Sequence, residues 1–233
     1  MAQDSISLNK YISSTGICSR READRWIEAG RVAINGKTAQ KGNRVFSQDT
    51  VTIDGKALKN KPKLVYIALN KPPGITCTTD LKDKDNIIDF INYPERIFHI
   101  GRLDKPSTGL IFLTNDGDIV NQILREENNH EKEYIVRTNR PITNQFVQQM
   151  SNGIPILDTV TKPCKVRQIG KNSFKITLTQ GLNRQIRRMC EYLGYKVITL
   201  KRVRIMNVRL GDLKMGKWRY LTDQELQELK NNL

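Results

Sequence analysis

The sequence has few of the residues that bind metal ions or form disulfides. Only two histidines occur in 233 residues, and the four cysteines, Cys18, Cys77, Cys164 and Cys190, lie far apart without a Cys-x-x-Cys pair. Neither histidine has a second ligand at the spacing of a zinc site. We therefore expect no metal ion, and we expect the cysteines to be buried free thiols.

Long apolar runs are also missing. No stretch approaches the roughly 20 apolar residues that cross a bilayer, no signal peptide opens the chain, and no basic amphipathic segment carries a sizeable aromatic face. These absences predict a cytoplasmic protein without a membrane partner.

The residues that are abundant are basic. The formal net charge is +15, and such an excess of Lys and Arg creates a field that attracts phosphates. Since a membrane is disfavoured, the charge predicts a nucleic-acid partner. The length suits one large domain and one small domain.

Residues 5–55 form the predicted small domain. Apolar residues at helical spacing follow Ser7, and a capping-box pattern beginning at Ser19 precedes a second helix. Asn35-Gly36 lies between two short apolar runs and predicts a hairpin. Residues 56–63, rich in Lys, Asn and Pro, are predicted to be a linker.

Residues 64–233 form the predicted large domain. The domain begins with a strand that is rich in branched aliphatic residues, and the rigid sequence from Lys71 to Gly74 ends this strand. Asp104 follows a short apolar run at 97–100 and precedes a second at 110–113, which predicts a loop between buried strands. From the residues alone, Asp104 fits an ordinary turn residue as well as a reactive carboxylate.

Two further stretches combine chemistry with regular structure. Tyr134 lies on an alternating strand, where a tyrosine is usually a core residue. A strand at 174–179 precedes a basic helix that Asn183 can cap. The arginines of this helix lie near its start, at the positive end of the helix dipole. They either bind an anion there or form a solvated face of the helix. Strands are predicted at 197–200 and 203–208, and arginines in and beside them, Arg202 among them, are predicted to meet phosphates.

Several motifs give the chain a family resemblance. The string Leu8-Asn9-Lys10-Tyr11-Ile12 with Ser19-Arg20-Arg21-Glu22-Ala23-Asp24 resembles the S4 domain of RNA-binding proteins. Gly101-Arg102-Leu103-Asp104, Lys132-x-Tyr134 and Gly181-x-Asn183-Arg184-Gln185-Ile186-Arg187-Arg188-Met189 resemble the motifs of RsuA-type pseudouridine synthases. The resemblance implies an α+β fold in which a small S4 domain precedes a catalytic domain built on a long, mostly antiparallel sheet.

The resemblance also implies roles for individual residues. Asp104 is the catalytic carboxylate, Arg187 is its partner, and Tyr134 stacks on the target base. Leu178 is a buried neighbour of the site, and Arg102 fills the gap that the flipped base leaves. Contacts to RNA are expected from Lys105, Asn183, Arg184, Gln185 and Arg188, and from the S4 cations Lys10, Arg20, Arg21 and Arg25. Gln180 departs from the Glu of many relatives.

The implied reaction is the isomerisation of a uridine to pseudouridine in ribosomal RNA, with the large subunit favoured. It needs no cofactor, in keeping with the missing Gly-rich phosphate loops and metal clusters. Transfer RNA stays open as a second substrate, and we expect a monomer. The alternative class is a non-catalytic S4-type RNA-binding or ribosome-assembly protein, in which the large domain is a scaffold.

Overall fold

The computed structural model describes residues 4–58 and 61–233, and the chain divides into two compact units. The first unit contains residues up to 65 together with 94–97 and 115–117. The second contains residues 66–93, 98–114 and 118–233.

Within its described residues, the first unit contains two helices and six short strands. The helices are α1 (Leu8–Ser14) and α2 (Arg20–Glu28). The strands are β1 (Ser5–Ser7), β2 (Val32–Ile34), β3 (Lys37–Thr38), β4 (Arg44–Phe46), β5 (Val51–Ile53) and β6 (Lys56–Ala57). Strands β3, β2, β5 and β6 form one sheet in that order, and β1 pairs with β4.

Local signals explain most of this unit. Asn35 and Gly36 both have positive φ values, 50° and 78°, as a two-residue hairpin turn requires. The Ser19 side chain accepts a hydrogen bond from the Glu22 amide at 3.1 Å, which confirms the predicted cap. Ser7 precedes α1 but makes no capping hydrogen bond with its side chain.

The predicted linker at 56–63 differs from the structure at its beginning. Lys56–Ala57 form β6 and pair with β5, because Asp54 and Gly55 adopt the positive φ values of a second hairpin turn. Residues 59 and 60 of the predicted linker lie outside the described part of the chain.

The second unit is built on a nine-stranded sheet. Its strands are β7 (Tyr66–Lys71), β8 (Phe98–Ile100), β9 (Thr108–Thr114), β10 (Lys132–Thr138), β13 (Lys165–Gly170), β14 (Ser173–Leu178), β15 (Val197–Ile205), β16 (Val208–Arg209) and β17 (Trp218–Tyr220). A separate hairpin contains β11 (Pro155–Ile156) and β12 (Thr159–Val160). The helices are α3 (Ile87–Ile91), α4 (Gly117–Leu124), α5 (Asn144–Asn152), α6 (Gln185–Tyr192) and α7 (Asp223–Asn231), with a 3-10 turn at Glu126–Asn128.

The order of the main sheet is β13-β14-β10-β15-β9-β7-β17, with β16 paired to β15 and β8 to β9. All of these pairs are antiparallel except β15 with β9. The α+β class with a long, mostly antiparallel sheet is therefore confirmed. The two separate strands predicted at 197–200 and 203–208 are instead one strand, β15, followed by β16.

Two apolar clusters support this sheet. In one, Phe146 of α5 and Met189 of α6 pack with Phe174 of β14. In the other, Ile123 of α4 and Leu229 of α7 belong to one buried group with residues of β9. Through the described residues, no helix combines the length and the apolar character needed to cross a membrane.

Candidate active site

A cavity of about 710 Å³ opens in the second unit beside the centre of the main sheet. Its wall is formed by the loop between β8 and β9, by Tyr134 on β10, by the segment that joins β14 to α6, and by Arg202 on β15. The volume lies within the usual range for a small-molecule pocket and can accept a nucleotide.

Asp104 lies in the loop between β8 and β9, as predicted. Its backbone carbonyl accepts a hydrogen bond from the Ser107 amide at 2.9 Å. Its side chain is one-third exposed, so it faces the cavity without being fully solvated. Leu103 and Ser107 on either side are buried and anchor the loop.

Arg187 on α6 reaches the same loop. Its Nε lies 3.5 Å from Oδ2 of Asp104, and its Nη2 donates to Oγ of Ser107 at 3.0 Å. The guanidinium is only 11% exposed, and its Nε has no hydrogen-bond acceptor among the described residues. The structure thus brings together the two residues that the motifs pair. They form an ion pair in which the Nε–H group of Arg187 can still donate a hydrogen bond.

Tyr134 also lines the cavity and is partly buried. It lies opposite Ile176 on β14 and Arg202 on β15, and its ring centroid is 6.0 Å from Cζ of Arg202. Leu178 lines the cavity nearby and is 4% exposed. Asp104, Tyr134, Arg187 and Leu178 therefore meet at one site, although they come from four different elements.

The segment before α6 differs from the prediction in its details. Helix α6 begins at Gln185, and the residue at its cap is Arg184, with φ +49° and no capping side-chain hydrogen bond. Asn183 is not the cap, since its side chain accepts from Arg188 at 3.1 Å. The predicted cap is wrong because the chain turns through a left-handed residue one position later.

Gln185 was expected to contact RNA, but it is only 4% exposed. Its Oε1 accepts from the Leu182 amide at 3.0 Å, and its Nε2 donates to Gln180 at 3.3 Å. Gln180 also accepts from the Lys162 amide at 3.1 Å. The structure places Gln185 inside the wall, where it holds the segment in shape.

The other predicted RNA-binding residues of this unit are at the surface. Arg102 and Arg184 are exposed and line the cavity, and Arg188 is tied to Asn183. Lys105 forms a half-exposed ion pair with Asp85 at 2.8 Å. Such a pair contributes about 0–1 kcal/mol, so a phosphate can displace it at little cost.

In the first unit, the predicted RNA-binding residues on α2 are accessible. Arg20, Arg21 and Arg25 are all exposed. Arg25 pairs with Glu22 at 2.9 Å, one turn away on the same helix. Lys10 on α1 is partly buried.

Two groups beneath the loop of Asp104 were missed by the sequence analysis. Lys71 at the end of β7 is fully buried, and its ammonium donates to the carbonyls of Pro72, Ile75 and Lys105. Burial lowers the pKa of Lys71. The Cys77 Sγ accepts from the Leu103 amide at 3.4 Å, and burial raises the pKa of its thiol. The motif from Lys71 to Gly74 predicted a bend but not a buried ammonium.

A third missed group is Arg202, which was expected to meet phosphates at the surface. It is only 4% exposed and donates from Nε to the Leu110 carbonyl at 2.7 Å. The backbone of Arg202 also explains why residue 109 is a glycine, which has φ +104°. A Cβ at that glycine would lie 2.2 Å from the Arg202 carbonyl oxygen. No sequence pattern distinguishes this buried arginine from its less buried basic neighbours Lys201 and Arg204.

Across residues 4–58 and 61–233, no group of three or more His, Cys, Asp or Glu side chains could hold a metal ion. His99, beside the cavity, is hydrogen-bonded through Nδ1 to the Gly101 carbonyl at 2.7 Å. Desolvation lowers the pKa of its imidazole. The expectation that the reaction uses no cofactor stays a prediction.

Family models match both units. The S4 domain model matches residues 7–51, and the model described as RNA pseudouridylate synthase matches residues 65–192. Together with a cavity formed around an Asp–Arg pair, these matches define an RNA-modifying enzyme that carries an S4 domain.

Relatives identify the family more closely. The chain is 58% identical to the dual-specificity RNA pseudouridine synthase RluF of Salmonella typhi, over 98% of this chain and 80% of the relative. It is 34% identical to ribosomal large subunit pseudouridine synthase B of Bacillus subtilis (strain 168), over 96% and 95%. A crystal structure of a pseudouridylate synthase superposes with a TM-score of 0.72 at 30% identity, over 96% of this chain and 99% of the other.

The chain therefore belongs to the RNA pseudouridine synthase family, and it is an isomerase of the RsuA type. Within this family the sequence resembles ribosomal large subunit pseudouridine synthase F, and the identity of 57–58% to RluF proteins confirms that resemblance. The alternative of a non-catalytic RNA-binding protein is set aside.

Proposed function

We propose that this enzyme isomerises a specific uridine of large-subunit ribosomal RNA, with Asp104 as the catalytic carboxylate. The observation that carries the proposal is the Asp104–Arg187 pair at 3.5 Å in a cavity that Tyr134 also lines. The large subunit is favoured because the Bacillus subtilis relative is named for it.

The target uridine has to leave its stack to reach this cavity. Flipping costs a few kcal/mol, which stacking on the Tyr134 ring and contacts to phosphates offset. Arg102 is exposed at the cavity wall and makes no hydrogen bond or ion pair within the described chain, so it is available to fill the vacated position.

The chemistry then needs an ionised carboxylate. The guanidinium of Arg187 lies 3.5 Å from the carboxylate of Asp104 and also fixes its loop through Ser107. The carboxylate can attack C1′ of the ribose, attack the pyrimidine ring, or remove a ribose proton. In each route Asp104 is indispensable, whereas the cations around it serve RNA binding.

We further propose that transfer RNA is a second substrate. The support is the wording dual-specificity in the names of the relatives from Salmonella typhi and Escherichia coli (strain K12). We also propose that the enzyme is a monomer and that it acts in the cytoplasm. Light scattering on the purified protein would test the monomer.

The direct test is to map pseudouridines in transcripts of large-subunit ribosomal RNA and of transfer RNA after incubation with the purified protein. Asp104→Asn is expected to abolish the reaction and to change RNA affinity less than about twofold, because one carboxylate lies among many cations. Asp212→Asn is the matched control, since Asp212 is an exposed carboxylate without a partner in the described chain. Turnover by Asp104→Asn above a few per cent of wild type would contradict the assignment.

The role of the S4 unit has its own test. Arg20 and Arg21 are exposed on α2, so Arg20→Ala with Arg21→Ala should weaken RNA binding and flatten its salt dependence. Each phosphate contact to single-stranded RNA contributes about 0.7 to the slope of log K against log salt, so the pair should change it by about 1.4. An unchanged slope would show that these arginines do not contact phosphates.

A further inference from the structure

Arg202 has a buried positive charge, since the residue is only 4% exposed. Its Nε binds the Leu110 carbonyl at 2.7 Å, while its Nη2 is buried and has no acceptor among the described residues. No carboxylate of the described chain forms an ion pair with it. An unpaired buried charge costs several kcal/mol, and a single carbonyl compensates only part of that cost. The missing acceptor therefore points to a ligand.

The position of Arg202 indicates which ligand. It lines the cavity and lies directly across the sheet from Tyr134, with Cζ 6.0 Å from the ring centroid. Lys132, two residues before Tyr134, lines the same cavity and also forms no ion pair within the described chain. Burial, and to a lesser extent the charge of Arg202, lower the pKa of Lys132. Arg202 and Lys132 therefore place positive charge in the cavity wall beside the Tyr134 ring, against which a base would stack.

We propose that the guanidinium of Arg202 donates a hydrogen bond to a carbonyl oxygen of the flipped uracil and stabilises the negative charge that develops on the ring. This inference rests on the proposed stacking of that uracil against Tyr134. A phosphate is the weaker alternative, because the exposed Arg184 is better placed for the backbone, whereas Arg202 is buried in the cavity wall.

The reaction creates such a charge whichever route Asp104 takes. If the bond from C1′ to N1 breaks, its electron pair stays on the base and spreads over N1, O2 and O4. If Asp104 adds to the ring, an electron pair moves towards O4. When C5 has joined C1′, the C5 proton leaves and N1 gains a proton, so the product has the atoms of the substrate. Positive charge fixed beside the carbonyl oxygens lowers the barrier in both cases.

The test is Arg202→Met under single-turnover conditions, with RNA carrying either uridine or 5-fluorouridine at the target position. Loss of one preorganised donor to a developing anion costs about 100-fold in rate, and RNA affinity should change less than about twofold. Fluorine withdraws electrons and itself stabilises the ring anion. The rate at which the variant consumes 5-fluorouridine should therefore fall only about tenfold, since the fluorine already supplies part of the charge stabilisation.

Lys201→Met is the matched control. Lys201 is the preceding residue of β15 and lies opposite Ile135 rather than Tyr134, so its side chain points to the other face of the sheet. It should keep wild-type rates on both RNAs. If Arg202→Met does not fold, Arg202→Lys takes its place, because it keeps the charge but lacks the second N–H group. Its rate should be intermediate, with the same smaller loss on 5-fluorouridine.

Two results would overturn the role of Arg202. One is an equal loss on both RNAs, which a merely structural role predicts. The other is weaker RNA binding with an unchanged rate, which a phosphate contact predicts. Failure of the proposed function is distinguishable, since wild-type protein would then leave both RNAs unmodified.

Discussion

The buried Lys71 offers the sharpest test of how the scaffold positions the loop that contains Asp104. Its ammonium donates to the carbonyls of Pro72 and Ile75 at 2.9 and 2.7 Å, and more weakly to that of Lys105 at 3.3 Å. Lys105 follows Asp104 directly. Lys71→Met keeps nearly the same volume but removes all three hydrogen bonds, so it separates the role of the charge from that of packing.

The expected loss of stability is small. Two carbonyls lose the only donor that the structure shows for them, at about 1–3 kcal/mol each. The Lys105 carbonyl keeps the Gly74 amide at 2.9 Å. Against this, the variant no longer buries an ammonium, which relieves a desolvation cost of several kcal/mol. We therefore expect a net loss of no more than about 2 kcal/mol in the free energy of unfolding.

The expected loss of activity is larger. Lys105 follows Asp104, the proposed catalytic carboxylate, and a shift of about 1 Å in a reacting group costs on the order of 100-fold in rate. Single-turnover rates and urea unfolding, measured on the same preparations, compare the two effects. Lys214→Met is the control, because it removes an exposed lysine that has no partner in the described chain.

The pH dependence gives a second signature. Burial lowers the pKa of Lys71 from its ordinary value of 10.5, so the folded protein releases this proton at a lower pH than the unfolded chain. Between the folded pKa and 10.5 the unfolded state binds more protons, and the free energy of unfolding rises with pH. The stability difference, wild type minus Lys71→Met, should be constant below this window and increase within it. A constant difference up to pH 10.5 would refute the buried ammonium.

Three further outcomes follow from single contacts. Arg187→Met should lower the rate of isomerisation by about 100-fold with little effect on RNA affinity, whereas the exposed Arg184→Met should weaken binding with little effect on the rate. Gly109→Ala should destabilise the protein by more than about 3 kcal/mol in thermal unfolding, because its Cβ would lie 2.2 Å from a backbone oxygen. Gly181→Ala should be nearly neutral, since a Cβ there meets no atom within 4 Å. Thr222→Ala removes the capping box of α7 and should cost about 1 kcal/mol in the same assay.

The sequence predicted the structure best where residues close together in the chain determine the local structure by themselves. The hairpin at Asn35-Gly36 and the cap at Ser19 depend on neighbouring residues, and both are present. Asp104 was placed in a loop by the two apolar runs around it. Its meeting with Arg187 could be predicted only from motifs, because 83 residues separate them and periodicity contains no information on such contacts.

The residues that were misjudged are those whose burial depends on distant strands. Arg202 looks like its basic neighbours in the sequence, but the pairing of β15 with β9 and β10 buries it. Gln185 stands in a motif that suggests RNA contact, although its amide is occupied by Leu182 and Gln180. Local sequence gives the side-chain chemistry, whereas the order of strands in the sheet decides what that chemistry faces.

That strand order also explains why the site contains buried cations. Lys71 of β7 holds the Lys105 carbonyl next to Asp104, and Arg202 of β15 holds the Leu110 carbonyl on β9. A neutral donor could make the same hydrogen bonds at a lower desolvation cost. A cation adds a positive potential, and Lys71 and Arg202 are buried, where charges interact more strongly than in water. Lys71 and Arg202 therefore hold backbone carbonyls of the scaffold and also supply positive charge near Asp104 and in the cavity wall, which links the stability of this scaffold to the chemistry proposed for it.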